Sequence, residues 1–290
     1  MKPPEYFLWK RARRACRGWL SAPRKLRDMT RSPRFSLLEV AAISLFVVVA
    51  TTLVVQYTDP WESEQWRYRS RYPHEEWLDL EAKYGPNHYS IGLDEWIIRD
   101  ALHDRREGTF VDVGASHYQL GSNTYYLEQH LGWSGLAIEP RTEFAADYAQ
   151  HRPRTRFVAM FASDQADGKA QLFVPASNLF VASRTKDEAV KESGGETVTV
   201  REVPTTTLNA ALEQAGIERI DFLNMDIEGA EPLALQGFDI DRYQPQLVCI
   251  EAHLGERQFI LDYFADHGYR LVGKYLRVDP TNLYFVPRRP

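Results

Sequence analysis

A short apolar run that ends in a glycine, at residues 109–115, limits the fold of this chain more than any other stretch. Its sequence is Thr-Phe-Val-Asp-Val-Gly-Ala, with Asp112 inside the run and Gly114 near its end. An apolar run of this length before a tight turn is typical of a buried parallel strand that leads into a helix. Because an unpaired buried carboxylate is costly, Asp112 is expected at the carboxyl end of the strand, where open α/β sheets bind ligands.

The next apolar run, residues 135–140, repeats this arrangement and contains Glu139. An acid at the tip of a second strand can accept hydrogen bonds from ribose hydroxyls, as in dinucleotide-binding folds. Strand-like and helix-like segments continue to alternate, which predicts a doubly wound α/β sheet with helices on both faces. The predicted strands are residues 109–114, 135–139, 156–161, 220–226, 246–252, 269–274 and 283–287. The predicted helices are residues 94–103, 123–131, 141–150, 207–215, 230–236 and 258–267.

Two further segments with strand alternation, residues 169–174 and 197–203, interrupt this order. They predict a hairpin-like insertion, with a long mobile loop at residues 176–196 between its strands. The helix that follows at residues 207–215 is expected to be capped by the threonines that precede it.

Acids recur at or just past the predicted strand ends, at Asp112, Glu139, Asp164 and Asp226. Because the carboxyl ends of parallel strands share one edge of the sheet, these acids are expected to converge on one crevice. Any one of them could instead cap the helix that follows. No Gly-x-Gly-x-x-Gly or Gly-Lys-Ser/Thr motif follows the first strand. The sequence therefore has no glycine-rich loop there that would bind the phosphates of NAD or ATP. An adenosine that carries an amino acid, S-adenosylmethionine, fits the acids better.

The overall composition excludes several other classes of protein. The formal net charge of -5 gives no sign of nucleic-acid binding. The only cysteines, Cys16 and Cys249, provide neither a disulfide framework nor a zinc motif, so no metal ligands are predicted. Cys249 lies in an apolar run and is interpreted as a small buried hydrophobe.

The amino-terminal part of the chain predicts a membrane anchor. Residues 1–36 form a basic tail with eleven Lys and Arg, and residues 37–55 form an apolar run with one charge. This length suffices for a single transmembrane helix. A buried core helix, an uncleaved signal sequence and an interfacial or re-entrant anchor are the alternatives. Residues 56–88 are predicted to be a linker that begins with an interfacial belt of Trp61, Trp66 and Tyr68, and residues 89–290 the globular domain.

Several motifs together resemble the FkbM-type S-adenosylmethionine-dependent methyltransferases. They are Phe-Val-Asp-Val-Gly-Ala at 110–115, Gly-Ser-Asn-Thr-Tyr-Tyr-Leu-Glu at 121–128, Leu-Gly-Trp-Ser-Gly-Leu-Ala-Ile-Glu-Pro at 131–140, Val-Pro-Thr-Thr-Thr-Leu at 203–208 and Asp-Phe-Leu-Asn-Met-Asp-Ile-Glu-Gly-Ala-Glu at 221–231. The last is the most specific, and the resemblance covers residues 89–287. It implies a seven-stranded Rossmann-like sheet whose last strand is antiparallel. It also implies methyl transfer, often to a hydroxyl group of a sugar or natural product.

The resemblance also assigns roles to individual residues. Asp112 and Gly114 resemble the first cofactor motif, where the backbone approaches the methionine part, and Glu139 resembles the acid that binds the ribose. Ser163 and Asp164 resemble the loop on the adenine side.

Two more residues complete the predicted cofactor site. Asn123 belongs to it, and Asp226 resembles the acid beside the transferable methyl group. The sequence departs from the family at residues 116–119, where Ser-His-Tyr-Gln replaces a small, glycine-containing turn. A bulky turn there could narrow the methionine pocket, and its His117 is either a substrate contact or an exposed loop residue.

A hydroxyl acceptor must lose its proton during methyl transfer, and a carboxylate or histidine can accept it. The candidates are Asp226, Glu228 and His253, although Glu228 and Glu231 could instead cap the following helix. The resemblance implies a small-molecule or glycan acceptor as the partner. A catalytically silent module that binds a partner at the membrane is the alternative function.

The expected orientation follows from the uneven charge. Many basic residues precede the apolar run, while only Arg67, Arg69 and Arg71 lie in the twenty residues after it. The positive-inside rule then keeps the amino terminus in the cytosol and translocates the domain. Since S-adenosylmethionine is made in the cytosol, a translocated domain would need cofactor delivered across the membrane.

Overall fold

The computed structural model describes residues 74–175 and 197–288. The basic tail at 1–36, the predicted membrane span at 37–55, the aromatic belt at 61–68 and the loop at 176–196 lie outside the described residues. Among the helices that are described, none is both long enough and apolar enough to cross a membrane.

The described strands form two sheets. In chain order they are β1 (Thr109–Val113), β2 (Ser134–Ile138), β3 (Thr155–Val158), β4 (Phe161–Ala162), β5 (Lys169–Pro175), β6 (Val198–Thr206), β7 (Phe222–Met225), β8 (Leu247–Glu251), β9 (Tyr269–Leu271) and β10 (Asn282–Pro287). The seven-stranded sheet has the order β3-β2-β1-β7-β8-β10-β9. Its pairings from β3 to β8 are parallel, whereas β10 runs antiparallel to both neighbours. The seven-stranded mixed sheet with an antiparallel last strand, which the sequence resemblance implied, is confirmed.

The central strands are buried on both faces, as their apolar sequences require. Phe110, Val111 and Val113 of β1 are fully buried. In the register, Val113 lies opposite Ile138 of β2 on one side and Met225 of β7 on the other. The carboxyl ends of β2, β1 and β7 therefore lie side by side, and the acids that follow them are neighbours.

Helices cover both faces of the sheet. In chain order they are α1 (His74–Tyr84), α2 (Asp94–Leu102), α3 (Tyr125–Leu131), α4 (Ala145–His151), α5 (Leu208–Ala215), α6 (Glu231–Gln236), α7 (Ile240–Tyr243) and α8 (Arg257–Asp266). Apolar residues of α5, α6 and α8 share one core cluster with Val111 and Val113. Residues of α1, α2 and α3 share another with Phe110 and Phe222, so the doubly wound arrangement predicted from the alternation is confirmed.

Part of the segment predicted as a linker is folded. Helix α1 lies within residues 56–88, and its Trp77 is only 3% exposed. The Trp77 ring packs edge-on against Trp96 of α2, with 5.4 Å between ring centroids. Helix α1 therefore belongs to the same hydrophobic core as α2, and the folded domain includes residues before Tyr89.

The predicted hairpin-like insertion is present as a small second sheet. Its strands β5 and β6 pair antiparallel from Lys169 opposite Pro204 to Pro175 opposite Val198. The segment 156–161, predicted as one strand, is divided, because β3 stays in the main sheet while β4 pairs with β6. The predicted threonine cap of α5 is confirmed, since the Thr207 hydroxyl accepts a hydrogen bond from the Ala210 amide.

Candidate active site

The turn after β1 is built around Gly114, which has a φ of +83°. Its amide donates to the Ile138 carbonyl at 2.9 Å, which fixes the turn against β2. A Cβ at this position would lie 1.7 Å from the carbonyl oxygen of Asp226. Both the left-handed backbone and the contact with the end of β7 therefore require glycine.

The unusual turn at residues 116–119 is closed by its own histidine. Ser116 takes up a left-handed conformation, with a φ of +49°. The Nδ1 atom of His117 accepts hydrogen bonds from the amides of Gln119 at 3.1 Å and Leu120 at 3.0 Å. Burial lowers the pKa of His117, which favours the neutral ring that can accept them. His117 is thus part of the turn and is half-buried, not an exposed loop residue.

Glu139 is held in one orientation at the end of β2, where it is 4% exposed. Its Oε1 atom accepts hydrogen bonds from the Arg141 amide at 3.0 Å and the Arg141 Nε at 3.2 Å. Its Oε2 atom accepts one from the Ser116 amide at 3.0 Å. A carboxylate has about four acceptor positions, so one on Oε2 is left for a ligand hydroxyl.

Asp112 is buried beneath the loop that precedes α3 and is only 2% exposed. Its carboxylate accepts hydrogen bonds from the Thr124 hydroxyl at 2.7 Å and the Asn224 side-chain amide at 2.8 Å. Asn123 donates in turn to the Asn224 side-chain carbonyl at 3.1 Å. Burial raises the pKa of Asp112, and these hydrogen bonds oppose the rise. Asp112 therefore fixes the loop that carries Asn123, and its role as a direct cofactor contact stays a prediction.

A buried ion pair supports the same loop from α3 and the residue after α4. The Arg152 guanidinium is paired with Glu128, and both side chains are almost fully buried. Arg152 also donates to the Tyr118 carbonyl at 2.9 Å and to the Thr124 hydroxyl at 3.1 Å. One guanidinium thus holds the turn after β1 and the partner of Asp112 together.

Ser163 and Asp164 lie after β4, at the edge of the second sheet. The Ser163 amide donates to the Thr206 carbonyl at 2.9 Å, and its hydroxyl donates to Asp164 at 3.0 Å. Asp164 itself is exposed. Within residues 74–175 and 197–288, no hydrogen bond connects this pair to Glu139 or Asp226, so its adenine-side role stays a prediction.

The residues that could accept the proton of the substrate hydroxyl lie at the carboxyl ends of β7 and β8. The Asp226 amide donates to the Val113 carbonyl at 2.9 Å, and its side chain is exposed. The imidazole Nε2 of His253 lies 3.1 Å from Glu251 and 3.7 Å from Glu228. Glu228 has a φ of +55°, an uncommon backbone conformation for a residue with a side chain. Glu228 and His253 thus lie close together at this edge, and the catalytic roles of Asp226, Glu228 and His253 stay predictions.

Glu251 is a buried carboxyl at the end of β8, and the pKa values of both Glu251 and Asp226 are shifted. Burial, followed by the charges of Asp226 and Glu228, raises the pKa of Glu251 well above the usual range. Burial also raises the pKa of Asp226, and a hydrogen bond with Glu251 opposes the rise. Each of the two carboxyls is therefore easier to protonate than a free carboxyl group.

The sequence of this chain matches the model of a known protein family. The model of the methyltransferase FkbM domain matches residues 112–271, which is more than half of the chain. The chain belongs to the FkbM methyltransferase family. No curated protein matches it. The expected enzyme class, a methyltransferase, is confirmed by this assignment, and the expected cofactor, S-adenosylmethionine, agrees with it.

Several solved structures are similar to this FkbM domain at low identity. The methyltransferase FkbM from Methylobacillus flagellatus is 19% identical over 62% of this chain and only 43% of that one, with a TM-score of 0.39. The TehB-like methyltransferase from Corynebacterium glutamicum is 14% identical over 79% and 100% of the two chains, with a TM-score of 0.38. A Geobacter sulfurreducens methyltransferase in complex with S-adenosyl-L-homocysteine is 11% identical over 67% and 70%, with a TM-score of 0.33. The family assignment rests on the domain model.

The residues at the strand ends fit S-adenosylmethionine. Gly114 leaves the turn after β1 without a side chain, and the fixed Glu139 carboxylate retains acceptor capacity for a ribose hydroxyl. Asn123 is held through Asn224, which also binds Asp112 of β1. These groups would bind the amino acid and ribose parts of the cofactor at the carboxyl edge of the FkbM sheet.

Sequence reasoning missed several residues of this site. Asn224 was not assigned, although a polar residue inside the apolar run 220–226 is itself a signal. Arg141 lies two residues after Glu139, but its contact depends on the turn and could not be read from spacing. Glu251 was not assigned to the site either, although it is buried at the end of β8, with a carboxylate oxygen 3.1 Å from His253.

Proposed function

We propose that this FkbM domain transfers a methyl group from S-adenosylmethionine to a hydroxyl of a small-molecule or glycan acceptor. The observation that carries the proposal is that Asp226 packs against Gly114, while Glu228 and His253, 3.7 Å apart, lie at the same end of the sheet. The cofactor supplies an activated methyl on its sulfonium when bound. A hydroxyl acceptor needs a proton acceptor within about 2.6–3.2 Å, and this edge of the sheet offers carboxylate and imidazole groups for that role.

Asp226 is the strongest candidate for the proton acceptor. Its side chain is exposed to an incoming substrate, and its backbone is tied to β1 by the Val113 hydrogen bond. His253, whose side chain is 47% exposed, is the second candidate. Much of the acceleration in such a displacement comes from positioning, which the fixed Glu139 and Gly114 turn would supply.

The acceptor can be identified by incubating the full chain with cell extract and S-adenosylmethionine that carries a labelled methyl group. Labelled products are then analysed by mass spectrometry. Once an acceptor is known, Asp226→Asn should lower kcat by about 100-fold or more, with little change in cofactor affinity. Asp262→Asn, a change of an exposed acid on α8, serves as the matched control. Label found only on nitrogen or sulfur atoms would reject hydroxyl methylation, and unchanged kcat would reject Asp226 as the base.

We also propose that residues 37–55 anchor the enzyme in a membrane as a single span, with the amino terminus in the cytosol. Support comes from the length of the apolar run and from the basic residues that precede it. Protease treatment of sealed, right-side-out vesicles tests the orientation. Digestion of the domain beyond residue 89 is the expected result. A domain that resists digestion until the membrane is broken would place the active site in the cytosol.

A further inference from the structure

Glu228, Glu251 and His253 form a compact group of possible metal ligands at the ends of β7 and β8. The Nε2 atom of His253 lies 3.1 Å from Glu251 Oε2 and 3.7 Å from Glu228 Oε2. One ligand atom from each residue lies within 4.8 Å of the others. Ligand atoms bound to one metal at about 2.0–2.2 Å lie roughly 3–4 Å apart, so small side-chain rotations would complete the site.

The buried carboxylate of Glu251 gives an independent indication of a missing ligand. The residue is 8% exposed, and its Oε2 atom is buried without a hydrogen-bond partner. The nearby His253 nitrogen is close enough for contact but does not make a hydrogen bond with this oxygen. Leaving a buried carboxylate oxygen unsatisfied is costly, and this one lies beside the other two ligands.

The surrounding charge is also unbalanced. Glu231 is 1% exposed, and while its Oε1 accepts from the Ile227 amide at 2.9 Å, its Oε2 has no hydrogen-bond partner. In the described part of the chain, no lysine or arginine pairs with Asp226, Glu231 or Glu251. Arg257 donates to the carbonyls of Ala252 and Pro280 instead. A cation at this edge would neutralise the acids.

We propose that Glu228, Glu251 and His253 bind one divalent transition-metal ion, with Mn²⁺ as the best fit. Two carboxylates favour a hard divalent cation, while the imidazole favours a transition metal over Mg²⁺ or Ca²⁺. Three protein ligands leave coordination positions open. The sequence predicted no metal ligands because these three residues follow two different strands and form no recognisable motif.

The position of the site suggests what the ion does. It lies beside Asp226, the candidate proton acceptor, so an acceptor hydroxyl could coordinate the ion and lose its proton more easily. This catalytic role rests on the proposed function, whereas metal binding itself does not. Because carboxylate and imidazole ligands must be deprotonated to bind a metal, affinity is expected to rise with pH.

The test uses the full chain, purified in detergent and stripped of metal with a chelator. Free Mn²⁺ is followed by electron paramagnetic resonance during titration, without cofactor or acceptor. One ion per chain is expected, with tighter binding at pH 8 than at pH 6. His253→Gln and Glu228→Gln should each weaken binding at least tenfold, and both side chains are accessible enough for the fold to tolerate the change. Asp262→Asn on α8 is the control and should bind as the wild type does.

Absence of Mn²⁺ binding would overturn the proposal. So would binding that His253→Gln and Glu228→Gln leave unchanged, or that Asp262→Asn weakens equally. Because no methyl transfer is measured, this result is independent of the acceptor. Metal binding without hydroxyl methylation would keep the site and reject only its catalytic role.

Discussion

The backbone of Gly114 packs so closely on the carbonyl oxygen of Asp226 that an added Cβ would lie 1.7 Å from it. The turn after β1, where the cofactor is expected, and the strand end that carries the candidate base are therefore one packed unit. Reinforcement comes from the Asp226 amide, which donates to the Val113 carbonyl at 2.9 Å. A change at Gly114 is expected to disturb both halves of the site at once.

Gly114→Ala should lower the free energy of unfolding by about 3 kcal/mol, from a left-handed backbone and a steric clash together. Gly216→Ala is the matched control, because Gly216 also has a positive φ, of +68°, but an added Cβ there would have nothing within 4 Å. That variant should lose only about 1 kcal/mol. Thermal denaturation of the two variants measures both losses in the free energy of unfolding. Equal losses would show that the contact with Asp226 has no energetic role.

Glu139→Gln should weaken the binding of S-adenosylmethionine by about 10- to 100-fold, because a charged hydrogen-bond acceptor for the ribose is lost. Calorimetric titration of the full chain measures the affinity. Glu143→Gln is the control, since Glu143 follows on the same turn but forms only an exposed ion pair with Arg201. Unchanged affinity in a folded Glu139→Gln variant would remove the ribose role.

Arg152→Met should destabilise the fold by about 3–5 kcal/mol, because Glu128 would be left as a buried charge without its partner. The loss of the bonds to Tyr118 and Thr124 should also loosen the loop over Asp112 and weaken cofactor binding. Arg242→Met breaks the ion pair with Glu213, whose two side chains are about half exposed, and should cost at most about 1 kcal/mol. Denaturant unfolding that gave similar losses for both variants would contradict this account.

Much of the sheet could be predicted because strand burial leaves a strong mark on sequence. The runs that became β1, β2, β7 and β8 are apolar and short, and each leads to a polar turn. Their order in the chain, together with the family resemblance, then indicated the position of the acids. Asp112, Glu139 and Asp226 were selected because burying a carboxylate near a strand end is costly unless it has a partner or a role, and their roles in the site stay predictions.

The remaining features depend on contacts between distant residues, which spacing does not reveal. Helix α1 was missed because its segment is largely polar and its burial depends on contacts with distant residues, such as that of Trp77 with Trp96. The division between β3 and β4 depends on pairing with β6, which lies far along the chain. The turn at 116–119 looked too bulky because its closure by the His117 ring could not be foreseen.

That closure makes the turn sensitive to pH. The Nδ1 atom of His117 accepts two backbone hydrogen bonds, which a protonated ring cannot accept. The pKa of His117 is lowered, first by burial and then by the positive charge of Arg141 and His151, while Asp147 opposes the shift. A lowered pKa means that the unfolded chain takes up a proton first. The stabilisation is therefore complete above the ordinary histidine pKa of about 6.5 and is lost as the pH falls.

We expect the affinity for S-adenosylmethionine and the melting temperature of the wild type to fall between pH 7 and pH 5. His117→Ala should be less stable at pH 7 by about 1 kcal/mol, the net value of a typical hydrogen bond, and should lack this part of the pH dependence. His117→Asn offers a neutral acceptor oxygen near the same position and should recover part of the stability without the pH dependence. Melting curves of the three proteins at pH 5, 6 and 7 measure the effect. If wild type and His117→Ala lose stability in parallel over this range, the turn is not held by the neutral imidazole, and its shape must come from the Ser116 backbone and the Tyr118 contact with Arg152.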